Sequence, residues 1–384
     1  MKSTFYTEEH DAFRAIVREF VEREVKSNLA RWEDERLIDR QPWLAAGKQG
    51  VVGIPFPEEY GGAGQSDYRF RAIVKEELAR VNATSLDGAF GINEDIVGCY
   101  IAELGTEEQK ARYLPGMSSG EIVSSIAMTE PGAGSDLRGI RTSAVRDGDE
   151  WVINGSKTFI TNGISSDVVV VAARTDQTEG RSGLSLLIVD TGTPGFERGR
   201  KLDKVGMHAQ DTAELFFDNV RVPATNLLGT EGRGLPHLME RLPRERMSIA
   251  WYAIGSAEAV LDWTIDYTTN RRAYGAPIID LQNTRFALAE MQTELDVTRA
   301  FLEAATLNLN AGELTAVDAA KAKWWSTELQ KRVTDRCLQL HGGYGYMMEY
   351  PVGRAFIDSR IQTIYGGTTE VMKEIIGRDI AAAR

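Results

Sequence analysis

Only two cysteines, Cys99 and Cys337, occur in a chain of 384 residues, and they lie far apart. That excludes a disulfide framework and a thiolate metal site, and a reduced intracellular setting is the simplest expectation. Histidine is nearly as scarce. His10, His208, His237 and His341 are scattered without metal-like spacing, so no metal centre is expected. Basic residues are outnumbered, 44 Lys and Arg against 56 Asp and Glu, for a formal net charge of −12. With no Lys/Arg block either, nucleic-acid binding is disfavoured. No apolar run approaches the ~20 residues that span a bilayer. The stretch "MKSTFYTEEHDAF" turns acidic at once and has no apolar signal core. Neither a secretory nor a transit peptide is expected, and the chain is assigned to the cytoplasm. The absence of G-x-G-x-x-G and of strand–helix–strand alternation argues against a Rossmann domain. No period of 20–50 residues marks a repeat protein.

What is present is the composition of a soluble globular chain, 42% hydrophobic and 26% charged. The length suits two or three domains rather than one core. Residues 1–120 read as helical. Phe13, Ile16, Val17, Phe20, Val21 and Val25 fall on one helical face, and "YRFRAIVKEELARV" continues the style after the loop "PEEYGGAGQSD". Residues 121–225 change to short β-branched or aromatic runs between turn residues, such as "DVVVVAART" and "LSLLIVD". These predict an antiparallel sandwich or barrel. Residues 226–384 return to helical periodicity in four long pieces, which predict a four-helix bundle. The first piece is expected from about Glu245 to Thr269. The second carries Leu288, Met291, Leu295, Thr298, Phe301 (or Leu302) and Ala305. The fold class is therefore α+β: helical domain, antiparallel β domain, helical bundle.

Several segments carry chemistry. In "AMTEPGAGSD", Pro131, Gly132 and Gly134 form a tight loop whose N–H groups can face a ligand, and Thr129 and Ser135 add hydroxyls. An ordinary turn reads the same way. In "KTFITNG", Phe159 beside Thr161 suits a planar, hydrogen-bonding ring. Arg271 and Arg272 stand at a helix end, where they complement the dipole or fork a pyrophosphate. "QLHGGYGY" ends a helix on Gly342, Gly343 and Gly345, as a C-cap or as a close approach to a cofactor. "IYGGTTEVMKEIIGR" offers Thr368 or Thr369 as an N-cap, with Glu370 in the first turn. In "LMERLPRERMSIAW", Glu245 lies among Arg241, Arg244 and Arg246. It reads either as a carboxylate at a helix start or as a base.

In this order and at these spacings the segments closely resemble the acyl-CoA dehydrogenase family, over essentially the whole chain. The resemblance implies FAD as cofactor and acyl-CoA thioesters as substrates. It also implies a homotetramer built as a dimer of dimers, and an electron-transferring flavoprotein as electron acceptor. By the same resemblance, Met128, Thr129 and Ser135 lie along the flavin, with Ser135 also near substrate. Phe159 and Thr161 stand at the flavin edge, Phe159 replacing a Trp common in relatives. Arg271 and Gln282 contact FAD across the subunit interface, as do Gln339, Gly342 and Gly343. Thr368 and Glu370 contact FAD from the last helix. Arg246 and Tyr365 lie towards substrate.

One departure matters. Many members carry Tyr-Glu-Gly-Thr where this chain has Tyr365-Gly366-Gly367-Thr368, and that Glu is their base. A smaller branch, of isovaleryl-CoA and long-chain acyl-CoA dehydrogenases, places its base at the position of Glu245. "LPRER" and "YGGT" occur together in the long-chain type. The implied reaction is α,β-dehydrogenation of medium-to-long straight acyl-CoA to trans-2-enoyl-CoA. Glu245 is the base, and the Gly366 N–H faces the thioester oxygen. A carboxylate returned to position 366 is expected to restore part of the rate when Glu245 is lost. Alternatives are a branched- or short-chain dehydrogenase, an oxidase on the same fold, and a non-catalytic flavin- or acyl-CoA-binding partner subunit.

Overall fold

Helix-forming segments open the chain, and the computed structural model describes residues 4–176 and 183–383. Seven helices come first: α1 (Glu8–Phe20), α2 (Leu29–Glu35), α3 (Gln41–Lys48), α4 (Tyr68–Arg80), α5 (Thr84–Gly91), α6 (Gly98–Leu104) and α7 (Glu107–Ser119). Val17, Phe20, Val21 and Val25 reach the core, whereas Ile16 is 45% exposed. The helix widens to a π turn at Val21–Val25, which rotates the stripe away from Ile16. A second π turn, Ile92–Val97, joins α5 to α6. Thr106 caps α7 through the Gln109 N–H, and the Gln109 side chain returns the bond to Thr106 N.

Helix gives way to sheet between Ser119 and Ser124. The strands are β1 (Ser124–Ala127), β2 (Ser143–Asp147), β3 (Glu150–Thr161), β4 (Val168–Arg174), β5 (Leu184–Asp190), β6 (Phe196–Lys201), β7 (Thr212–Pro223) and β8 (Leu227–Leu228). Their order is β6-β7-β3-β2-β4-β5-β8, with β1 beside β4. The sheet is not wholly antiparallel as expected. β4 runs parallel to β1 throughout their pairing, and parallel to β2 at Ser143↔Arg174. The β2–β3 hairpin intervenes between β1 and β4 and supplies the crossover that a parallel pair needs.

The continuous apolar runs of β4 and β5 have a simple cause. Val168, Val170, Ala172, Leu184, Leu186 and Ile188 pack towards Tyr100, Tyr113, Leu114 and Met117 of the helical domain. Val169, Val171, Ala173, Leu187 and Val189 pack on Trp151, Ile153, Leu215 and Phe217 within the β domain. Both faces are buried, so alternation disappears.

Sheet returns to helix between Leu228 and Gly234. The helices are α8 (Gly234–Asn270), α9 (Gln282–Asn310), α10 (Ala316–His341), α11 (Pro351–Ser359) and α12 (Thr369–Ala382), with the small hairpin β9 (Arg272–Ala273) and β10 (Ala276–Pro277) after α8. α10 packs against α8, α9, α11 and α12. Leu302 is fully buried and Phe301 is 38% exposed, which resolves that pair in favour of Leu302.

The expected start of α8 at Glu245 is wrong. The helix begins at Gly234 and carries Pro243 inside it. Glu245 therefore sits in the fourth turn, where the free N–H groups of a helix start are out of reach. The reading of Glu245 as a helix-start carboxylate loses its physical basis.

Candidate active site

Glu245 is 5% exposed and accepts a hydrogen bond from Tyr100 Oη at 2.6 Å. Burial pushes its carboxyl up to about 7, against the Tyr100 hydrogen bond and the Arg246 charge. Asp95 adds to the rise and Arg241 opposes it. Asp95 is itself gripped by Arg71 at 2.9 Å and Lys75 at 3.2 Å, and accepts from Ser248 Oγ at 2.8 Å. Below Glu245 thus lies a fully buried, largely compensated charge cluster that fixes α8 against α4 and the Ile92–Val97 turn.

One turn beyond Glu245, Ile249 meets the C-terminal turn. Gly366 has φ +63°, and a Cβ built there would fall 2.3 Å from Ile249 Cδ1. Gly366 is thus brought to the same face of α8 as Glu245, and Ile249 fills the space that a side chain at 366 would take. Gly367, at φ +99°, allows the turn to continue into α12, where Thr368 caps the helix through Val371 N at 3.3 Å. Glu370 is exposed in that first turn, held below its ordinary range by its own N–H and by Thr368.

Two buried cations stand beside this turn. Lys323 is fully buried and donates to the Gly367 carbonyl at 2.7 Å. Desolvation and the nearby Arg246 charge bring its ammonium down to about 7. Arg246 is 5% exposed, and its Nε has no hydrogen-bond partner among the described residues. A buried guanidinium nitrogen without an acceptor is costly and suits a site that receives a polar ligand. Tyr365 lies near Asp87, and burial raises its hydroxyl far above the ordinary value.

The β domain presents a ledge. Lys157, fully buried, donates to the Met128 carbonyl at 3.0 Å, to Glu130 at 2.8 Å and to the Ala172 carbonyl at 2.8 Å. Glu130 also accepts from Arg141 N and Thr142 N, and Thr158 N donates to Thr129 O. The loop after Thr129 is thereby pinned at its base, while Gly132, Gly134 and Ser135 face outward. A Cβ at Gly132 or Gly134 would meet nothing within 4 Å.

Between Lys157 and Ile160 the β3–β7 pairing slips by one residue. This bulge puts Phe159 at φ +59° with its ring 67% exposed, next to Thr161. A left-handed Phe is strained, and its exposed face gains nothing within the chain. A planar ring laid on the ledge would cover it, and the residues present fit the expected flavin.

A third group lies elsewhere. Arg271, Gln339, Gly342 and Gly343 line one open cleft of about 530 Å³, together with Tyr267 and Tyr344. The Arg271 guanidinium lies 5.6 Å from the Tyr344 ring centre. Gln282 stands exposed at the start of α9, outside the residues lining that cleft. Arg271 follows Glu245 by 26 positions and stands just past the end of α8, ~39 Å along the helix axis at 1.5 Å per residue. Within one chain, then, this cleft and the Glu245 carboxyl lie far apart along the bundle.

Sequence reasoning missed Tyr100, Lys157, Ile249 and Lys323. Each acts through a partner distant in sequence. Lys157 and Lys323 are fully buried, and a local sequence pattern gives no sign of a buried ammonium. The described residues contain no cluster of His, Cys, Asp and Glu able to hold a metal, and no helix long and apolar enough to cross a membrane.

Comparison with known proteins places these features in a family frame. Residues 7–121 match the acyl-CoA dehydrogenase N-terminal domain, residues 125–220 its middle domain, and residues 232–381 its C-terminal domain. The chain is 48% identical to the mitochondrial long-chain specific acyl-CoA dehydrogenase of Sus scrofa, over 98% of this chain and 87% of that protein. The crystal structure of an acyl-CoA dehydrogenase from Geobacillus kaustophilus superposes with a TM-score of 0.96 at 46% identity, covering 99% of this chain and all of that one. A glutaryl-CoA dehydrogenase from Mycobacterium smegmatis, in complex with FADH2, superposes with a TM-score of 0.92 at 29% identity, over 98% and 96% of the two chains.

Proposed function

This chain belongs to the acyl-CoA dehydrogenase family, a family of FAD-dependent oxidoreductases acting on CH–CH bonds, and from that premise we propose that Glu245 is its base and that medium-to-long straight acyl-CoA thioesters are its substrates. The observation that supports the base assignment is the buried Glu245 carboxyl, raised to about 7, one helical turn from the Ile249 that meets a Gly366 turn with no side chain to offer. A base of that affinity is half-ionised near neutral pH, where proton abstraction is most efficient.

The acyl chain lies against α8, with its α-carbon between Glu245 and the ledge. Glu245 takes the α-proton and becomes a neutral acid. FAD, when bound, supplies the acceptor for the β-hydride. Met128, Thr129, Ser135, Phe159, Thr161, Thr368 and Glu370 are the residues that would hold it. Negative charge grows on the thioester oxygen as the proton leaves, and the Gly366 N–H is the donor aimed at it. Lys323 secures the Gly367 carbonyl and so keeps that N–H in place. Arg246, with an unused donor, serves the polar part of the substrate. The product is a trans-2-enoyl-CoA, and the electrons pass on to an electron-transferring flavoprotein.

The ~39 Å between Glu245 and Arg271 supports a second part of the proposal. Arg271, Gln282, Gln339, Gly342 and Gly343 serve the FAD of a neighbouring subunit in a homotetramer. Exposed apolar side chains on α9 favour such assembly, Phe286 at 58% and Val297 at 66%. The preference for long straight chains is supported by the Sus scrofa relative, while the glutaryl-CoA relative shows that other acyl groups fit the same fold.

The test is anaerobic reduction of the holoenzyme by a panel of acyl-CoAs. Straight chains of medium or greater length should give the highest kcat/KM. A higher value for isovaleryl-CoA or glutaryl-CoA would overturn the chain preference, and no reduction by any of them would leave a binding subunit.

A further inference from the structure

Proton abstraction needs a carboxylate, yet Glu245 is sealed among groups that pull its ionisation both ways. Tyr100 on α6 faces it by hydrogen bond, Arg241 and Arg246 come from α8, and Asp95 comes from the Ile92–Val97 turn. Asp95 is neutralised by Arg71 and Lys75 of α4, and Lys323 of α10 lies beyond Arg246. Of these, Tyr100 is the one that hydrogen-bonds the carboxylate, at 2.6 Å to Oε1.

Tyr100 is built to stay where it is. Its ring is 1% exposed and packs with Phe56, Val97, Tyr113 and Leu114 at the seam between the helical and β domains. The Arg241 guanidinium lies 5.6 Å from its ring centre and pairs with Glu103 at 2.9 Å. Burial and the Glu245 charge raise the Tyr100 hydroxyl well above its ordinary value, so it remains a donor at every working pH.

We propose that Tyr100 is the positioning residue of the base: it grips Oε1, keeps the carboxylate ionised in a buried site, and leaves Oε2 to receive the α-proton. The Cα–H bond breaks, an O–H bond forms at Oε2, and the Tyr100 proton stays on Tyr100. The inference rests on Glu245 being the base. A hydroxyl that donates to a carboxylate favours the charged form, so its removal raises the carboxyl's affinity for a proton. A hydrogen bond to a charged group corresponds to about one to two pH units of such a shift.

The experiment compares wild type, Tyr100→Phe and Glu245→Gln as holoenzymes. Thermal unfolding and flavin absorbance report whether each is folded and loaded. The acidic limb of kcat/KM should move up by about one to two units in Tyr100→Phe, with most of the rate recovered at high pH. The protonated-carboxyl stretch of Glu245, isolated by infrared difference against Glu245→Gln without substrate, should move its midpoint by the same amount. An unmoved limb with an unmoved stretch overturns the role of Tyr100, whatever happens to the plateau rate. An active Glu245→Gln overturns the base reading itself. Tyrosine labelled with ¹³C at Cζ in the unsubstituted protein tests the contact without any change at residue 100. One resonance should titrate near pH 7 and be lost from the titrating set in Glu245→Gln; no titrating resonance contradicts the proposal.

Discussion

Ile249, one helical turn beyond Glu245, links that segment of α8 to the Gly366 turn. Gly366 adopts φ +63°, and Ile249 Cδ1 occupies the place of its missing Cβ. The sequence-based expectation that a carboxylate at 366 would restore activity therefore needs revision. Gly366→Glu in a Glu245→Gln background should give no recovery, since the new side chain strains the backbone and collides with α8. Adding Ile249→Ala removes the collision, and flavin reduction should then rise measurably above the Glu245→Gln level. Equal rates with and without the Ile249 change would show that backbone strain alone decides. The base also predicts a pH dependence. The proposed base works when ionised, and the Glu245 carboxyl is raised to about 7, so activity should be full above that value and lost below it. The log of kcat/KM should fall with unit slope as pH drops through about 7, and this limb should be missing in Glu245→Gln. The family resemblance singled out Glu245 and Gly366 together, and the structure brings Ile249, one turn from Glu245, against Gly366. Tyr100 and Ile249 were not legible in the sequence, because their roles depend on contacts 145 positions and 117 positions away in sequence, which no local pattern reports.

At the scale of elements, long periodic helices were readable and their limits were not. Pro243 looks like the first residue of a helix, since a missing N–H is harmless there. In the structure it lies nine residues inside α8, and the apparent helix start at Glu245 dissolves. β4 was recognisable as a strand, but its parallel partners depend on the β2–β3 hairpin crossing first. The loop from Thr129 to Ser135 is held by the buried Lys157–Glu130 pair at 2.8 Å. Lys157→Met should strip a buried carboxylate of its partner and cost about 3–5 kcal/mol. Differential scanning calorimetry should show the loss, along with weaker flavin retention. Pairing it with Glu130→Gln should recover a good part of the stability, because the uncompensated charge is then gone. If both variants melt alike, the cost lies in lost packing of the lysine stem and not in charge.

For the whole molecule, ~39 Å along the axis of α8 separates Glu245 from the Arg271 cleft, and the proposed assembly would bring a second copy of that cleft to each reaction centre. Arg271→Ala should lower FAD content without unfolding the chain, as read by flavin absorbance and sedimentation. A stable monomer with full FAD content would contradict the cross-subunit reading. On the proposed function, assembly would hold the cofactor, the ledge and the α12 turn would place it, and Glu245 would remove the proton. Anaerobic stopped-flow reduction of Glu245→Gln by a straight-chain acyl-CoA tests it most directly. The variant should remain assembled, keep its FAD and bind acyl-CoA, yet reduce its flavin at least ~10²-fold more slowly than wild type. Reduction at the wild-type rate would mean that Glu245 is not the base.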